Sequence, residues 1–206
     1  MSTPDVTSIN PATGEVLQSF TPLASANLDA AIARADDSFQ TWRLTGFTER
    51  TRLMHKAADI LENRKDAYAR TMVLEMGKPL SEAVAEVEKC ALVCRHYAEH
   101  AESYLADEPI KTEAKRSFVR HLPVGPVLAV MPWNFPFWQV FRFAAPTLMA
   151  GNVGLLKHAS NVWGSAMNIE AVFREAGFPD GCFQTLLIGS KAVEGVIRDP
   201  RVKAVT

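Results

Sequence analysis

Residues 127–136 read VLAVMPWNFP, an apolar strand-like run that ends in a turn flanked by two prolines. Pro132 and Pro136 fix φ on either side of Asn134, and the residue before a proline is biased toward extended backbone. Asn134 therefore follows the carboxyl end of a predicted strand, which is where ligands bind in open α/β sheets. Its amide can donate a hydrogen bond to an oxygen that gains negative charge during a reaction. The alternative is a stiff turn whose asparagine only caps the next helix, and spacing alone leaves both open.

From residue 127 onward the sequence alternates strand-like and helix-like segments. The predicted strands are short apolar runs, as expected when helices cover both faces of a sheet. This alternation predicts right-handed βαβ units and a parallel sheet of the dinucleotide-binding type. The predicted strands are 127–131, 153–157, 184–188 and 202–206, and the predicted helices are 137–149, 162–175 and 191–198.

The preceding part of the chain predicts a hairpin and several helices. Strands at 6–9 and 15–20 flank a turn, Gly77 ends a helix as a left-handed residue, and the next helix runs to about Leu105. A β-like segment at 117–122 follows a charged linker. The predicted residues at helix starts, all short and polar, are Ser25 or Asn27, Thr48, Ser81, and Ser160 or Asn161.

Composition narrows the class of protein. The 22 basic and 23 acidic residues leave a net charge of −1, without the basic surface that nucleic-acid binding needs. The sequence shows no signal-peptide pattern and no apolar run of membrane-spanning length. Three cysteines are an odd count without a disulfide framework, which favours a reducing compartment. We expect a soluble, cytoplasmic protein with neither a nucleic acid nor a membrane as partner.

Three motifs in order along the chain resemble the aldehyde dehydrogenase superfamily. They read INPATGEV at 9–16, EMGKPL at 75–80 and MPWNFP at 131–136, the last followed by Pro146, Gly151-Asn152 and Lys157. The detail around Arg142 and Lys157-His158 is most similar to the succinate-semialdehyde dehydrogenase branch. The resemblance implies an α/β fold with an N-terminal helical segment and a Rossmann-like parallel sheet. It divides the chain into an N-terminal hairpin and helices (1–115), an oligomerisation-type strand (116–124) and a cofactor-binding region (125–206).

The same resemblance implies NAD- or NADP-dependent oxidation of an aldehyde, succinate semialdehyde or a related semialdehyde, to the acid. The reaction would pass through a thiohemiacetal on a cysteine that this chain does not contain, because family members run to roughly twice this length. We therefore expect an N-terminal part of the enzyme that is inactive alone, and relatives assemble as homodimers or homotetramers. The alternative is a naturally short, non-catalytic nucleotide-binding or assembly partner. The predicted buried strand at Lys203–Thr206 favours the first interpretation, because a buried strand end leaves backbone groups without partners.

Site residues follow from the matched motifs. The resemblance assigns the oxyanion-binding amide to Asn134 and contacts with the cofactor ribose or its 2′-phosphate to Lys157, whose alternative is a surface lysine. Ser160 stands where many NAD-using relatives carry a glutamate, and losing that charge predicts tolerance of NADP. The other predicted cofactor contacts are Pro132, Trp133, Gly189 and Ser190, although the spacing of Gly189 and Gly195 does not fit the dinucleotide fingerprint.

The predicted substrate-binding residues lie on the helix after the turn. Gln139 and Arg142 are three residues apart and share a helical face, and Trp138 precedes them. A partly desolvated Arg142 would pair with a carboxylate at the far end of the substrate. The alternative is an ordinary intramolecular salt bridge.

Two other residue groups are set aside. Cys90, Cys94 and Cys182 look like small core residues rather than nucleophiles. His96-Tyr97-Ala98-Glu99-His100 spells the inverted zinc-hydrolase motif, but Cys94 lies about 200° around the helix from His96. We expect a solvated helix face there and no metal.

Overall fold

The computed structural model describes residues 5–206, so the first four residues of the predicted 1–115 region lie outside the described residues. The described part of the chain is an α/β structure with one hydrophobic core shared by the N-terminal helices and the sheet. Its elements, in chain order, are β1 (Val6–Ile9), β2 (Val16–Phe20), α1 (Ser25–Trp42), α2 (Phe47–Asn63), α3 (Lys65–Met76), α4 (Leu80–Tyr104), β3 (Glu108–Pro109), β4 (Phe118–Val119), β5 (Pro126–Met131), α5 (Trp138–Met149), β6 (Val153–His158), a 3-10 turn (Ser160–Val162), α6 (Trp163–Ala176), β7 (Phe183–Thr185), α7 (Ser190–Arg198) and β8 (Ala204–Val205).

Four parallel strands form the main sheet, in the order β7-β6-β5-β8. The first three strands run outward in one direction, and the fourth returns to the other side of β5. Ligands bind at such a reversal of strand order in open α/β sheets. The predicted parallel sheet is confirmed, and β5 lies at its switch point.

Helix α5 is anchored at its C-terminal end by a buried arginine. Arg50 donates hydrogen bonds to the carbonyl oxygens of Met149 at 3.0 Å and Trp42 at 3.1 Å, at the ends of α5 and α1. These unsatisfied terminal carbonyls favour a cation. Gly151 has φ +89°, and a Cβ there would lie 2.6 Å from Arg50 Nη2, so glycine is required beside the guanidinium.

Several predicted element boundaries are wrong. The β-like segment at 117–122 contains only Phe118–Val119, which pairs with the unpredicted strand Glu108–Pro109. The strand predicted at 184–188 ends at Thr185. The last predicted strand is two residues long and exposed rather than buried, since within residues 5–206 it pairs along one edge only, with β5.

The predicted polar N-caps are also wrong. The residues that precede α1, α2, α4 and α6 are Ala24, Gly46, Pro79 and Val162, and none makes a side-chain capping hydrogen bond. Gly77, in contrast, ends α3 with φ 75°, as predicted. Among the helices of residues 5–206, none combines the length and apolarity needed to cross a bilayer.

Candidate active site

Asn134 lies in an exposed turn between β5 and α5. Strand β5 ends at Met131, and residues 132–135 are all exposed. Helix α5 begins at Trp138 without a side-chain cap from the residue before it, and the hydrogen bonds around this turn within residues 5–206 do not involve the Asn134 side chain. The interpretation of Asn134 as a helix cap is therefore wrong, and its amide remains available to a ligand.

A buried glutamate from α4 caps α5 instead. Glu86 is 5% exposed, and its Oε1 accepts hydrogen bonds from the N–H groups of Phe137 and Trp138, both at 2.9 Å. Its other oxygen forms a buried ion pair with Lys78. A carboxylate at a helix N-terminus meets free N–H donors and the positive end of the helix dipole. The ion pair supplies the counter-charge that a buried carboxylate needs.

A buried histidine holds the same peptide group from the opposite side. His158, at the end of β6, is fully buried. Its Nδ1 accepts from the Ala159 N–H at 2.9 Å, so Nε2 carries the proton and donates to the Pro136 carbonyl oxygen at 2.9 Å. Burial lowers the pKa of His158 from its ordinary 6.5 to about 4, which keeps the ring neutral. The Pro136–Phe137 peptide is thus bound at its C=O by His158 and at its N–H by Glu86.

Lys78 also contacts the turn directly. Its Nζ lies 3.9 Å from the centroid of the Phe135 ring, a cation–π distance. The residue next to Asn134 is therefore fixed by the same lysine that pairs with Glu86.

The carboxyl end of β6 carries the second group of predicted site residues. Val130 pairs with Lys157 and Met131 with His158 in adjacent parallel strands, so Lys157 and the Asn134 turn lie at one edge of the sheet. Lys157 is half-buried. Burial alone lowers the pKa of its amine, and no charged group within residues 5–206 offsets that effect. Ser160 is exposed, in the 3-10 turn.

A second buried glutamate caps α6. Glu75, 5% exposed, accepts hydrogen bonds from the Gly164 N–H at 2.7 Å and from the Ser165 N–H at 2.8 Å and hydroxyl at 2.7 Å. A Cβ on Gly164 would lie 2.7 Å from Glu75 Oε1, so glycine permits this approach. Burial raises the pKa of Glu75, against the opposing effect of its hydrogen bonds.

The remaining predicted cofactor contacts lie along the same edge of the sheet. Pro132 and Trp133 are exposed in the Asn134 turn. Gly189 and Ser190 are exposed at the start of α7, beside a shallow cavity that Pro22 also lines. Since β7 neighbours β6 rather than β5, they belong to the Lys157 side of this edge.

The predicted substrate residues form one local cluster. Arg142 Nη2 donates to Gln139 Oε1 at 2.8 Å, so the shared face is present. Arg142 is exposed within the described residues, so the partial desolvation predicted for it stays a prediction. Its partner is an amide, and the salt-bridge alternative finds no acidic partner within residues 5–206. Trp138 is half-buried, with Lys89 Nζ 4.0 Å from its ring centroid.

The cysteines and the histidine motif supply no reactive group. Cys90, Cys94 and Cys182 are buried, and burial raises the pKa of each thiol, which disfavours the nucleophilic thiolate. His96 and His100 stack on an exposed face of α4 with ring centroids 4.6 Å apart. No group of three potential metal ligands occurs within residues 5–206.

Sequence reasoning missed Glu86, Lys78, Glu75 and His158. A signal for Glu86 was present, because it lies with Ala83, Val87 and Cys90 on the buried face of α4. A carboxylate on an apolar helix face needs a partner. Lys78 and Glu75 lie within the EMGKPL motif, but nothing local shows what they contact.

Comparisons with known proteins agree with the fold. The Aldehyde dehydrogenase family model matches residues 1–206. A probable succinate-semialdehyde dehydrogenase [NADP(+)] from Synechocystis sp. is 55% identical over 98% of this chain and 44% of its own length. A succinate-semialdehyde dehydrogenase [NADP(+)] from Mycobacterium avium is 55% identical over 98% of this chain and 43% of its own length. The chain thus spans less than half the length of these curated relatives. The crystal structure of a succinic semialdehyde dehydrogenase from Streptococcus pyogenes, in complex with NADP+, superposes with a TM-score of 0.94 at 36% identity, covering 97% of this chain and 44% of that one.

Proposed function

The chain belongs to the aldehyde dehydrogenase family, and we propose that it forms part of an NADP-dependent succinate-semialdehyde dehydrogenase. The observation that carries this proposal is the free Asn134 amide in a turn fixed by buried groups, at the switch point of a parallel sheet. The names of the curated relatives support the substrate and the cofactor.

Asn134 acts on the aldehyde oxygen. When a thiolate attacks the aldehyde carbon, a C–S bond forms and the carbonyl oxygen takes up negative charge. A hydrogen-bond donor already aimed at that oxygen stabilises the charge without reorganising during the reaction. The Asn134 amide meets this requirement because its turn is fixed while its side chain remains free. NADP+, when bound, would supply the acceptor for the hydride that the same carbon releases, and water would then free the acid.

The nucleophile is a cysteine outside these 206 residues. Cys90, Cys94 and Cys182 are all buried with raised thiol pKa values, and attack requires the thiolate. The region 125–206 therefore contributes the oxyanion donor and part of the cofactor site, and residues 1–115 support it.

Lys157 and Ser160 bind the adenosine ribose and its 2′-phosphate. The Lys157 ammonium is half-buried and has no charged partner in residues 5–206, so an anion such as the 2′-phosphate would stabilise its charge. Ser160 offers a hydroxyl where a carboxylate would repel the phosphate. Pro132, Trp133, Gly189 and Ser190 complete the cofactor site along the same edge of the sheet.

Arg142, Gln139 and Trp138 bind the distal carboxylate of the semialdehyde. Only one Arg142 nitrogen is engaged by Gln139, so other guanidinium N–H groups remain for a bidentate carboxylate. The Gln139 amide holds the guanidinium in place.

The ribbon of β3 and β4 serves homodimer or homotetramer formation. Val119 is 44% exposed and Ile110 48%, an apolar surface that a second copy of the chain would cover. Arg116 and Arg120 flank the Phe118 ring at 4.8 and 4.9 Å. The three free, buried cysteines fit a cytoplasmic location.

The test uses the protein as its host makes it, whatever its length. Its intact mass is measured, and turnover is followed as NADPH formation from succinate semialdehyde and NADP+. We expect Asn134→Ala to lower kcat by about 10²-fold or more with little change in NADP+ affinity. Asn63→Ala, at the exposed end of α2, is the matched control and should leave kcat unchanged.

Each outcome is decisive. An unaltered kcat in Asn134→Ala would overturn the oxyanion assignment. A native mass near 22.7 kDa without turnover would overturn the dehydrogenase proposal and favour a non-catalytic binding partner.

A further inference from the structure

Two buried side chains from two different elements form hydrogen bonds with the Pro136–Phe137 peptide. Glu86, from α4, binds its N–H, and His158, from the end of β6, binds its C=O. Both bonds measure 2.9 Å. This peptide is two residues from Asn134, and Pro136 has no N–H and a fixed φ. Rotation of the peptide would therefore displace the Asn134 amide.

We propose that Glu86 and His158 are positioning residues for Asn134, which set the angle at which its amide meets the substrate oxygen. The proposal rests on the proposed function and deepens it. Neither residue touches the reacting atoms. Their effect passes through one peptide group into the turn, and Lys78 extends the same control to the Phe135 ring.

The burial of these groups supports a positioning role rather than direct contact with the substrate. Glu86 and His158 are 5% and 0% exposed, so neither is exposed enough to be the group that contacts substrate. A capping carboxylate alone would stabilise α5, but capping does not require a second group on the carbonyl of the same peptide. Two opposed hydrogen bonds fix the plane of the peptide, which a single cap leaves free to tilt.

His158 offers a pair of variants that separates positioning from packing. In His158→Gln, the amide nitrogen takes a place close to the original Nε2 and keeps a donor for the Pro136 oxygen. In His158→Asn, the shorter side chain mimics only Nδ1. We expect His158→Asn to lose about 10-fold or more in kcat, because misplacement of a catalytic group by about 1 Å costs up to 10²-fold. His158→Gln should retain kcat within about three-fold.

Glu86 is tested in a background without the Lys78 charge. Lys78→Met with Glu86→Gln keeps an acceptor oxygen for the Phe137 N–H, whereas Lys78→Met with Glu86→Leu removes it. Both double variants are uncharged at this site, so a difference between them reports the hydrogen bond. We expect the leucine variant to have a kcat about 10-fold lower than the glutamine variant.

The deciding measurement is a double-mutant cycle with Asn134→Ala in the full enzyme. If His158 and Glu86 act through Asn134, their effects on kcat vanish once Asn134 is alanine. Undiminished losses of kcat in the Asn134→Ala background would overturn the proposal, as would a wild-type kcat in His158→Asn.

An activity-independent readout separates this proposal from the proposed function. Amide hydrogen exchange at Phe137 and Trp138 should accelerate in the Glu86→Leu variant and in His158→Asn, but not in His158→Gln. If exchange behaves so while Asn134→Ala leaves kcat unchanged, the oxyanion assignment fails. If Asn134→Ala lowers kcat and exchange does not move, the positioning proposal fails.

Discussion

The carboxyl ends of β5 and β6 are built alike but held by different chemistry. At each end a buried glutamate from the α3–α4 region caps the helix that follows. Glu86 at the β5 end is paired with Lys78. Glu75 at the β6 end is held by the neutral donors of Gly164 and Ser165, with Ser8 Oγ at 3.2 Å, and has no ion-pair partner in residues 5–206.

The difference shows where the molecule keeps its geometry fixed. At the β5 end, which we propose stabilises developing charge, Lys78 neutralises Glu86 and His158 adds a second hydrogen bond to the turn. The β6 end, which we propose binds a cofactor through the long Lys157 side chain, relies on Glu75, a carboxylate without an ion-pair partner in residues 5–206. An oxyanion donor needs accurate placement, whereas a flexible lysine tolerates small shifts of its support.

Removing the cation at the β5 end should have the largest effect on stability. Lys78→Met leaves Glu86 buried without its charge partner, and breaking one side of a buried pair costs about 3–5 kcal/mol of unfolding free energy. Urea unfolding at neutral pH measures the loss. Adding Glu86→Gln to this variant should recover most of it, because no uncompensated charge then remains.

An exposed ion pair of α4 gives the matched control. Lys65 pairs with Glu88 across α3 and α4 with side chains 38% and 49% exposed. Lys65→Met should cost no more than about 1 kcal/mol. Equal losses of unfolding free energy in Lys65→Met and Lys78→Met would show that the buried pair at the β5 end contributes no more to stability than an exposed one.

The fold could be predicted from apolar runs, but the helix caps could not. The strands at 127–131 and 153–157 are confirmed because a buried parallel strand has a local signature in its composition. Local rules for helix starts assume a Ser, Thr, Asp or Asn next to the helix. Here the caps of α5 and α6 come from glutamates 51 and 89 residues away in sequence. Only the tertiary packing of α3 and α4 brings them there.

The candidate site was predictable in part for a similar reason. The prolines around Asn134 placed it at a strand end, and the register of β5 and β6 brings Lys157 to the same edge of the sheet. The hydrogen bond from His158 to Pro136 joins residues 22 apart in sequence. It also depends on which ring nitrogen accepts from Ala159, and no sequence pattern encodes either feature. The partial desolvation predicted for Arg142 depends on covering elements that residues 5–206 do not supply.

Acidification should weaken the β5 end through His158. Burial is the main cause that lowers its pKa from 6.5 to about 4 in the folded protein, and the hydrogen bond to the Pro136 carbonyl oxygen opposes it. Below pH 6.5 the His158 imidazole is protonated in the unfolded chain, whereas it stays neutral in the folded protein until about pH 4. The contribution of His158 to the free energy of unfolding is therefore complete above pH 6.5. It falls by about 3 kcal/mol as the pH is lowered to about 4. Urea unfolding of the wild type and His158→Gln across this range measures it. The variant should lack this part of the pH dependence, and parallel curves for the two proteins would contradict the pKa of His158.

The β6 end should respond weakly to its own substitution and in the opposite direction with pH. Glu75→Gln removes a charged cap but keeps one acceptor oxygen, so at neutral pH it should cost about 1 kcal/mol. The pKa of Glu75 is raised by burial, so its contribution to stability is full below the unfolded pKa of about 4.5 and is lost as pH rises through the folded value. The difference between wild type and Glu75→Gln, from urea unfolding, should therefore grow as pH falls toward about 5. A difference that shrinks on acidification would mean that the ionised carboxylate is favoured at this cap, and the contrast between the two strand ends would then rest on His158 and Lys78 alone.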